Sequence, residues 1–158
     1  GDTVMWGFNA RLDNLQAAFL DFSLKSFDDN IARRRKIACL YNDRLNHLSQ
    51  LTLPPSPFEN SDHFDVYQNY EIEADHRDEL MKFLKVNGIG TIVQWGGKAV
   101  HQFEKLGFHA ELPNTEKLFK RCMMLPMNTS LSDDEIEYIC HYIRRFYECQ
   151  LTTRESDE

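Results

Sequence analysis

Near the start of the chain, Gly7-Phe8-Asn9-Ala10-Arg11-Leu12-Asp13 sets a glycine, an amide, a guanidinium and a carboxylate directly ahead of the helix-forming Asn14-Leu15-Gln16-Ala17-Ala18. Such a cluster suits an anion, because the first backbone N–H groups of a helix lack partners and its dipole is positive there. Asn9 would offer an amide and Arg11 a charge. The same residues admit a plainer account, in which Asp13 or Asn14 caps the helix and Arg11 is a surface charge; on spacing alone this account is favoured. A second cluster, Gln94-Trp95-Gly96-Gly97-Lys98-Ala99-Val100-His101, gathers an amide, an indole, an ammonium and an imidazole around a glycine pair. Trp95 could wall a sugar or ring while Gln94, Lys98 and His101 supply hydrogen bonds. The alternative puts Trp95 in the core and Lys98 in water, and the residues weigh evenly between the two.

Other chemistries find no support. A nucleophile elbow, a Walker loop, a dinucleotide fingerprint and a recognisable carboxylate pair are absent. Cys39, Cys122, Cys140 and Cys149 form no C-x-x-C pair, and the six histidines show no ligand spacing, so we expect reduced, mostly buried thiols and no metal. A formal charge of -7, from 18 basic and 25 acidic residues, argues against general affinity for nucleic acid or anionic membranes. The basic run Arg33-Arg34-Arg35-Lys36 reads by default as a solvated helix face. With no membrane-length apolar run and no opening signal sequence, a cytoplasmic location is expected.

The elements that would position these groups follow from periodicity. At 158 residues the chain suits one domain with a real core. Leu12, Leu15, Ala18, Phe19 and Phe22 recur at helical spacing beyond Arg11, and Leu20, Leu24 and Phe27 add a second apolar strip, which suggests contact with another domain or subunit. Asp28-Asp29-Asn30 suits the start of a new helix carrying Ile31, Ala38, Tyr41, Leu45 and Leu48, ended by Pro54, Pro55 and Pro57. Residues 64–72 alternate like a strand, with Phe64, Val66, Tyr70 and Ile72 on one face. Asp75 is expected to cap a helix with Leu80, Phe83 and Leu84, closed by Asn87-Gly88. Residues 89–95 read as the next strand, 101–106 and 115–122 as short helices, and 124–127 as a brief extended piece. Ser132-Asp133-Asp134-Glu135 is a capping box opening a helix whose stripe is Ile136, Ile139, Cys140, Ile143, Phe146 and Tyr147. The order predicts an α+β fold: long helices and a small, mainly antiparallel sheet covered by helices.

The opening segment, through Ala18, resembles the G-[YF]-N-x-R-[LM]-D-x-[LI]-Q-A-A block of the DegT/DnrJ/EryC1/StrS family of pyridoxal-phosphate-dependent nucleotide-sugar aminotransferases. Three further blocks follow in register. Arg34 with Ile37, Ala38 and Tyr41 is similar to an R-x-x-[IV]-A-x-x-Y helix. Arg77-Asp78-Glu79-Leu80, Leu84 and Gly88-Ile89-Gly90-Thr91 resemble an R-D-x-L-x-x-x-L-x-x-x-G-I-x-T passage. Leu125-Pro126-Met127 and Leu131-Ser132-Asp133-Asp134-Glu135-Ile136 resemble the closing L-P-[ML]-x-x-x-L-S-D-[ED]-E-[IV]. Four blocks in order are more specific than any one.

That resemblance implies the C-terminal small domain of a fold-type I pyridoxal-phosphate-dependent aminotransferase. Residues 1–50 would be connecting helices and a dimer-interface segment, 51–150 the small α+β domain, and 151–158 a disordered tail. It implies transfer of an amino group, usually from glutamate, to a nucleotide-linked keto sugar in a homodimer that shares its active sites. Asn9 would reach the cofactor phosphate of the neighbouring subunit, with Arg11 assisting or bracing the loop. His101 matches a substrate-loop histidine, but Gln94-Trp95-Gly96-Gly97 departs from the usual H-Y-P and Gln68 stands where a histidine is common, which puts the sugar's identity in question. No lysine matches the family's Schiff-base context, so no catalytic residue is assigned. The expectation is a fragment of such an enzyme, inactive alone, made for amino-sugar or polysaccharide biosynthesis. The rivals are an inactive stand-alone dimerisation or interaction module, and a small-ligand domain using the Trp95 loop.

Overall fold

The computed structural model describes residues 13–57, 64–103, 107 and 110–154, with side chains described as far as Cys149. Asn9 and Arg11 lie outside these residues, as do 155–158. Helix α1 (Asn14–Leu24) is capped by Asp13, whose carboxylate accepts from the Gln16 N–H at 2.8 Å. None of its residues is buried, and Leu15, Phe19, Phe22 and Leu24 stand exposed.

Helix α2 (Phe27–Leu45) carries Asp28 and Asp29 in its first turn, where acidic groups complement the dipole. It ends at Leu45, short of the expected 48, and before the prolines the chain forms a strand the periodicity did not announce, β1 (Leu51–Thr52). The next strand, β2 (Tyr70–Ala74), starts later than the expected 64–72. The expected alternation breaks at Tyr67, whose φ of 48° turns the chain, so that Tyr67 is buried while Phe64 stays exposed. From Tyr70 onward the alternation holds: Tyr70, Ile72 and Ala74 face the core and Glu71 faces out.

Helix α3 (Arg77–Val86) is not capped by Asp75; His76 occupies the cap position at φ 55° without a side-chain bond. The Asp75 carboxylate is instead taken by Arg121 at 2.5 Å. Its other end stops as expected. Gly88 sits at φ 75°, with its N–H donating to the Lys85 carbonyl at 3.1 Å and the Ile89 N–H reaching back to Leu84 at 2.9 Å. The expected strand over 89–95 reduces to one bridge, Ile92 to Met124, because a left-handed turn starts at Trp95. Helix α4 (Pro113–Arg121) leads into β3 (Cys122–Leu125), and α5 (Asp133–Arg154) opens with the capping box intact, the Ser132 N–H to the Glu135 carboxylate at 2.7 Å and the Glu135 N–H to Ser132 Oγ at 3.2 Å. The backbone of α5 is helical through Arg154, into the segment expected as a tail.

The sheet is antiparallel in the order β1-β2-β3, with Ile72 opposite Met123 and Tyr70 opposite Leu125. Helices α2, α3 and α5 bring Ile37, Tyr41, Leu84, Ile139 and Ile143 into one cluster with that face. Each such aliphatic side chain contributes roughly 1.5–3 kcal/mol by leaving water. The result is the expected α+β layer, with α2 sharing the sheet's core.

Candidate functional site

The Gln94 to His101 segment forms a left-handed turn at Gln94–Gly97 and a single turn of 3-10 helix at Val100–Gln102. Trp95, Gly96 and Gly97 take φ values of 55°, 65° and 75°, so three successive residues are left-handed, a conformation costly for an indole-bearing residue. The turn lifts Trp95 out of the core: it is 76% exposed. Lys98 points to water as well, while Gln94 is half-buried. His101 goes another way. Its ring is 8% exposed and Nε2 lies 3.4 Å from the Glu116 carboxylate of α4, with Gln102 accepting from the Ala99 N–H at 2.9 Å behind it. The loop therefore presents Trp95 and Lys98 outward but does not join His101 to them.

A site the periodicity did not single out lies at the end of the sheet where β2 begins and β3 ends. A groove of about 400 Å³ is walled there by Gln68 and Asn69, by Gly90 and Ile92, and by the Met124 to Thr129 segment, with Arg34 of α2 reaching into it. The basic run around Arg34, expected as a solvated face, is mostly engaged. Arg33 pairs with Asp133 at 2.5 Å and also donates to the Leu131 carbonyl, and Lys36 pairs with Asp133 at 2.6 Å. Arg35 donates to the Asp65 and Pro57 carbonyls at 2.7 and 2.8 Å and lies 4.3 Å above the Phe64 ring. Arg34 is the exception: its Nε is buried and has no hydrogen-bond partner among the described residues. The sequence signal for it was its place in the R-x-x-[IV]-A-x-x-Y block, to which no role was attached.

A larger cavity, about 650 Å³, borders α2 at Ile31, Ala32 and Cys39. It is mainly apolar, and Arg35 and Lys36 at its edge are already committed, so among the described residues Asp28 is left as its charged group, fewer directed polar groups than usually orient a substrate. Thiol chemistry is disfavoured at three of the four cysteines: burial pushes Cys140 up to about 12 and raises Cys39 and Cys122. Among the described residues no group of histidines, cysteines and carboxylates could hold a metal, and no helix is long and apolar enough to cross a membrane.

Comparison with known proteins accounts for the four sequence blocks together. The model of the DegT/DnrJ/EryC1/StrS aminotransferase family matches residues 2–144. The chain belongs to that family. It is 36% identical over 144 residues to the pleiotropic regulatory protein of Geobacillus stearothermophilus, covering 89% of this chain and 38% of the relative. It is 34% identical over 134 residues to a UDP-2-acetamido-2-deoxy-3-oxo-D-glucuronate aminotransferase of Pseudomonas aeruginosa, covering 85% of this chain and 36% of that protein. The chain thus spans less than two fifths of the length of these relatives, 38% and 36%. A DegT DnrJ EryC1 StrS aminotransferase from Brucella abortus superposes with a TM-score of 0.77 at 32% identity, over 92% of this chain and 38% of that one. The aminotransferase TlmJ of Streptoalloteichus hindustanus superposes at 0.81 with 22% identity, over 94% of this chain and 40% of that one, and shares the fold.

Family membership raises the question of pyridoxal phosphate. A lysine that forms a Schiff base is activated by a desolvated or cationic setting. Every lysine among the described residues has an exposed side chain, and Lys25 and Lys36 lie in ion pairs with carboxylates. The described residues therefore do not fit the covalent anchor of the cofactor, while Asn9 and Arg11, expected at its phosphate, lie outside them.

Proposed function

We propose that this chain forms the small-domain part of a pyridoxal-phosphate-dependent aminotransferase acting on a nucleotide-linked keto sugar. The family match over residues 2–144 carries this reading. Relatives named as a UDP-2-acetamido-2-deoxy-3-oxo-D-glucuronate aminotransferase and a dTDP-3-amino-3,6-dideoxy-alpha-D-galactopyranose transaminase support the substrate class. In the overall exchange glutamate loses its amino group and becomes 2-oxoglutarate, and the sugar's keto oxygen is replaced by that amino group. The cofactor, when bound, supplies the electron sink. This chain's part is binding and orientation: Asn9 and Arg11 at the cofactor phosphate of a second subunit, Gln94, Trp95 and Lys98 around the sugar, and His101, expected among them, bracing their loop from behind. Trp95 offers its exposed ring as a stacking wall and Lys98 a charge in water. His101, turned to Glu116, holds the loop against α4. The apolar face of α1 is the surface for the second subunit, and the location is cytoplasmic.

The test supplies the rest of the enzyme in trans. The chain alone, with pyridoxal phosphate and glutamate, is expected to show no spectral conversion to the amine form. Added to the separately produced large domain of the Brucella abortus relative, it should give conversion and 2-oxoglutarate. Absence of conversion, under conditions where the relative's own small domain restores it, would sink the reading. Asn9→Ala should weaken cofactor retention in the restored enzyme; unchanged affinity would remove Asn9 from the site. The exposed lysines favour one second reading, a catalytically silent dimerisation module. Stable dimers without conversion in the same mixture would select it.

A further inference from the structure

We propose that the groove over Arg34 is an anion subsite, taking a carboxylate or phosphate group of the substrate; it rests on the aminotransferase reading above. Three observations meet there. The Nε of Arg34 is buried and unpartnered among the described residues, and a buried charged donor without an acceptor costs more than any ordinary lost hydrogen bond. None of the groove's lining residues is acidic: Asp133 and Glu137 are held by basic groups elsewhere, and the Asp65 carboxylate accepts from the Tyr67 N–H. The remaining polar walls, Gln68, Asn69, Asn128 and Thr129, carry amide and hydroxyl donors that can bind the outer oxygens of an anion.

The guanidinium fork matches two oxygens of a carboxylate or phosphate side by side, which a lysine at the same place could not reproduce. Two acceptors that line the groove are already engaged by other groups. The Pro126 carbonyl at the groove's floor accepts from Tyr41 at 2.8 Å, and the Asn128 side-chain oxygen accepts from the Ser130 N–H at 3.0 Å, which leaves the Asn128 amide N–H₂ to donate. At about 400 Å³ the groove admits one charged end of a ligand rather than a whole nucleotide sugar. Ile92 forms its rim by bridging Met124, two positions before Gln94, so the groove and the Trp95 loop are parts of one surface strip.

Two sources supply such an anion: the carboxylate of the amino donor and the phosphate of the nucleotide. The chain is titrated with glutarate, with uridine diphosphate and with sodium chloride at matched ionic strength, while arginine Nε–H signals are followed by NMR. The Arg34 signal should move and saturate with glutarate or with uridine diphosphate, whichever is the source, and not with chloride. Arg34→Gln should weaken that binding about tenfold or more, and Arg34→Lys should recover only part of it. Asn128→Ala, which leaves α2 intact, should weaken it several-fold even if Arg34→Gln fails to fold. An Arg34 signal unmoved by both anions overturns the proposal, as does saturation unaffected by Asn128→Ala. Anion binding without amino transfer in the trans assay would defeat the aminotransferase reading alone. Amino transfer with a silent groove would defeat this inference alone.

Discussion

Tyr41 and Tyr70 stack with ring centroids 4.9 Å apart, and burial raises both hydroxyl pKa values well above the ordinary range, yet the two hydroxyls differ in partner. Tyr41 donates to the Pro126 carbonyl at 2.8 Å, while the buried Tyr70 oxygen has no partner among the described residues. Deleting the first should strip a carbonyl of its donor, and deleting the second removes only an unpaired polar atom. Tyr41→Phe is therefore expected to cost about 1 kcal/mol, and Tyr70→Phe to be neutral or stabilising by a few tenths. Urea unfolding midpoints check this, and the reverse order would refute it. The same logic separates Arg34 from its neighbours. Side chains of one type, adjacent in sequence, differ by what the tertiary structure puts within reach, so residue type alone could not rank them.

Between elements, α2 and α5 are joined by the shared core and by a seam of charge. Arg33 and Lys36 of α2 meet Asp133 at 2.5 and 2.6 Å, and Arg44 of α2 meets Glu137 at 2.6 Å, a carboxylate that Arg144 of α5 itself also holds at 2.8 Å. Hydrogen bonds from these bases hold both carboxyls below the usual carboxylate range. A folded-state pKa below the unfolded one means the stabilisation is complete above the unfolded value and is lost as pH falls through the folded value. The seam should thus support the fold at neutral pH and fade below the ordinary carboxylate range, modestly because both carboxyls are well exposed. Thermal melts of the wild type and of an Asp133→Asn, Glu137→Gln double variant should differ at neutral pH and converge in acid. A constant gap would rule the seam out.

Elements defined by short-range chemistry were readable in advance. The Asp13 cap, the Ser132/Glu135 capping box, the Gly88 stop and the whole stripe from Ile136 to Tyr147 stand where spacing placed them. The strands were less so. β1 is two residues long and exists because Leu51 and Thr52 find Ala74 and Glu73 across the sheet. β2 starts late because Tyr67 turns, its hydroxyl anchored 2.6 Å from the Pro55 carbonyl, and no local pattern encodes that partner.

For the molecule as a whole, α1 is the element with no home. Its phenylalanines Phe19 and Phe22 are 66% and 73% exposed, and Leu15 is 68% exposed on the same helix. Exposed apolar area of this kind drives association. The chain in solution should self-associate in a concentration-dependent way, and Phe19→Glu with Phe22→Ser should shift sedimentation toward monomer while leaving the far-UV spectrum unchanged. A monomeric wild type would remove α1 as the subunit surface.

Taken by itself, the sequence determined where the main helices lie, the Asp13 and Ser132 caps, the α5 core stripe and the family blocks, because helical period and capping chemistry act over three or four residues. Only the tertiary structure decided which polar groups are left unsatisfied. Trp95 in or out of the core, His101 toward Glu116, Asp75 toward Arg121, and Arg34 alone over an acid-free groove all depend on residues distant in sequence. A side chain's function there follows from the partner it lacks, and a missing partner has no spacing to read.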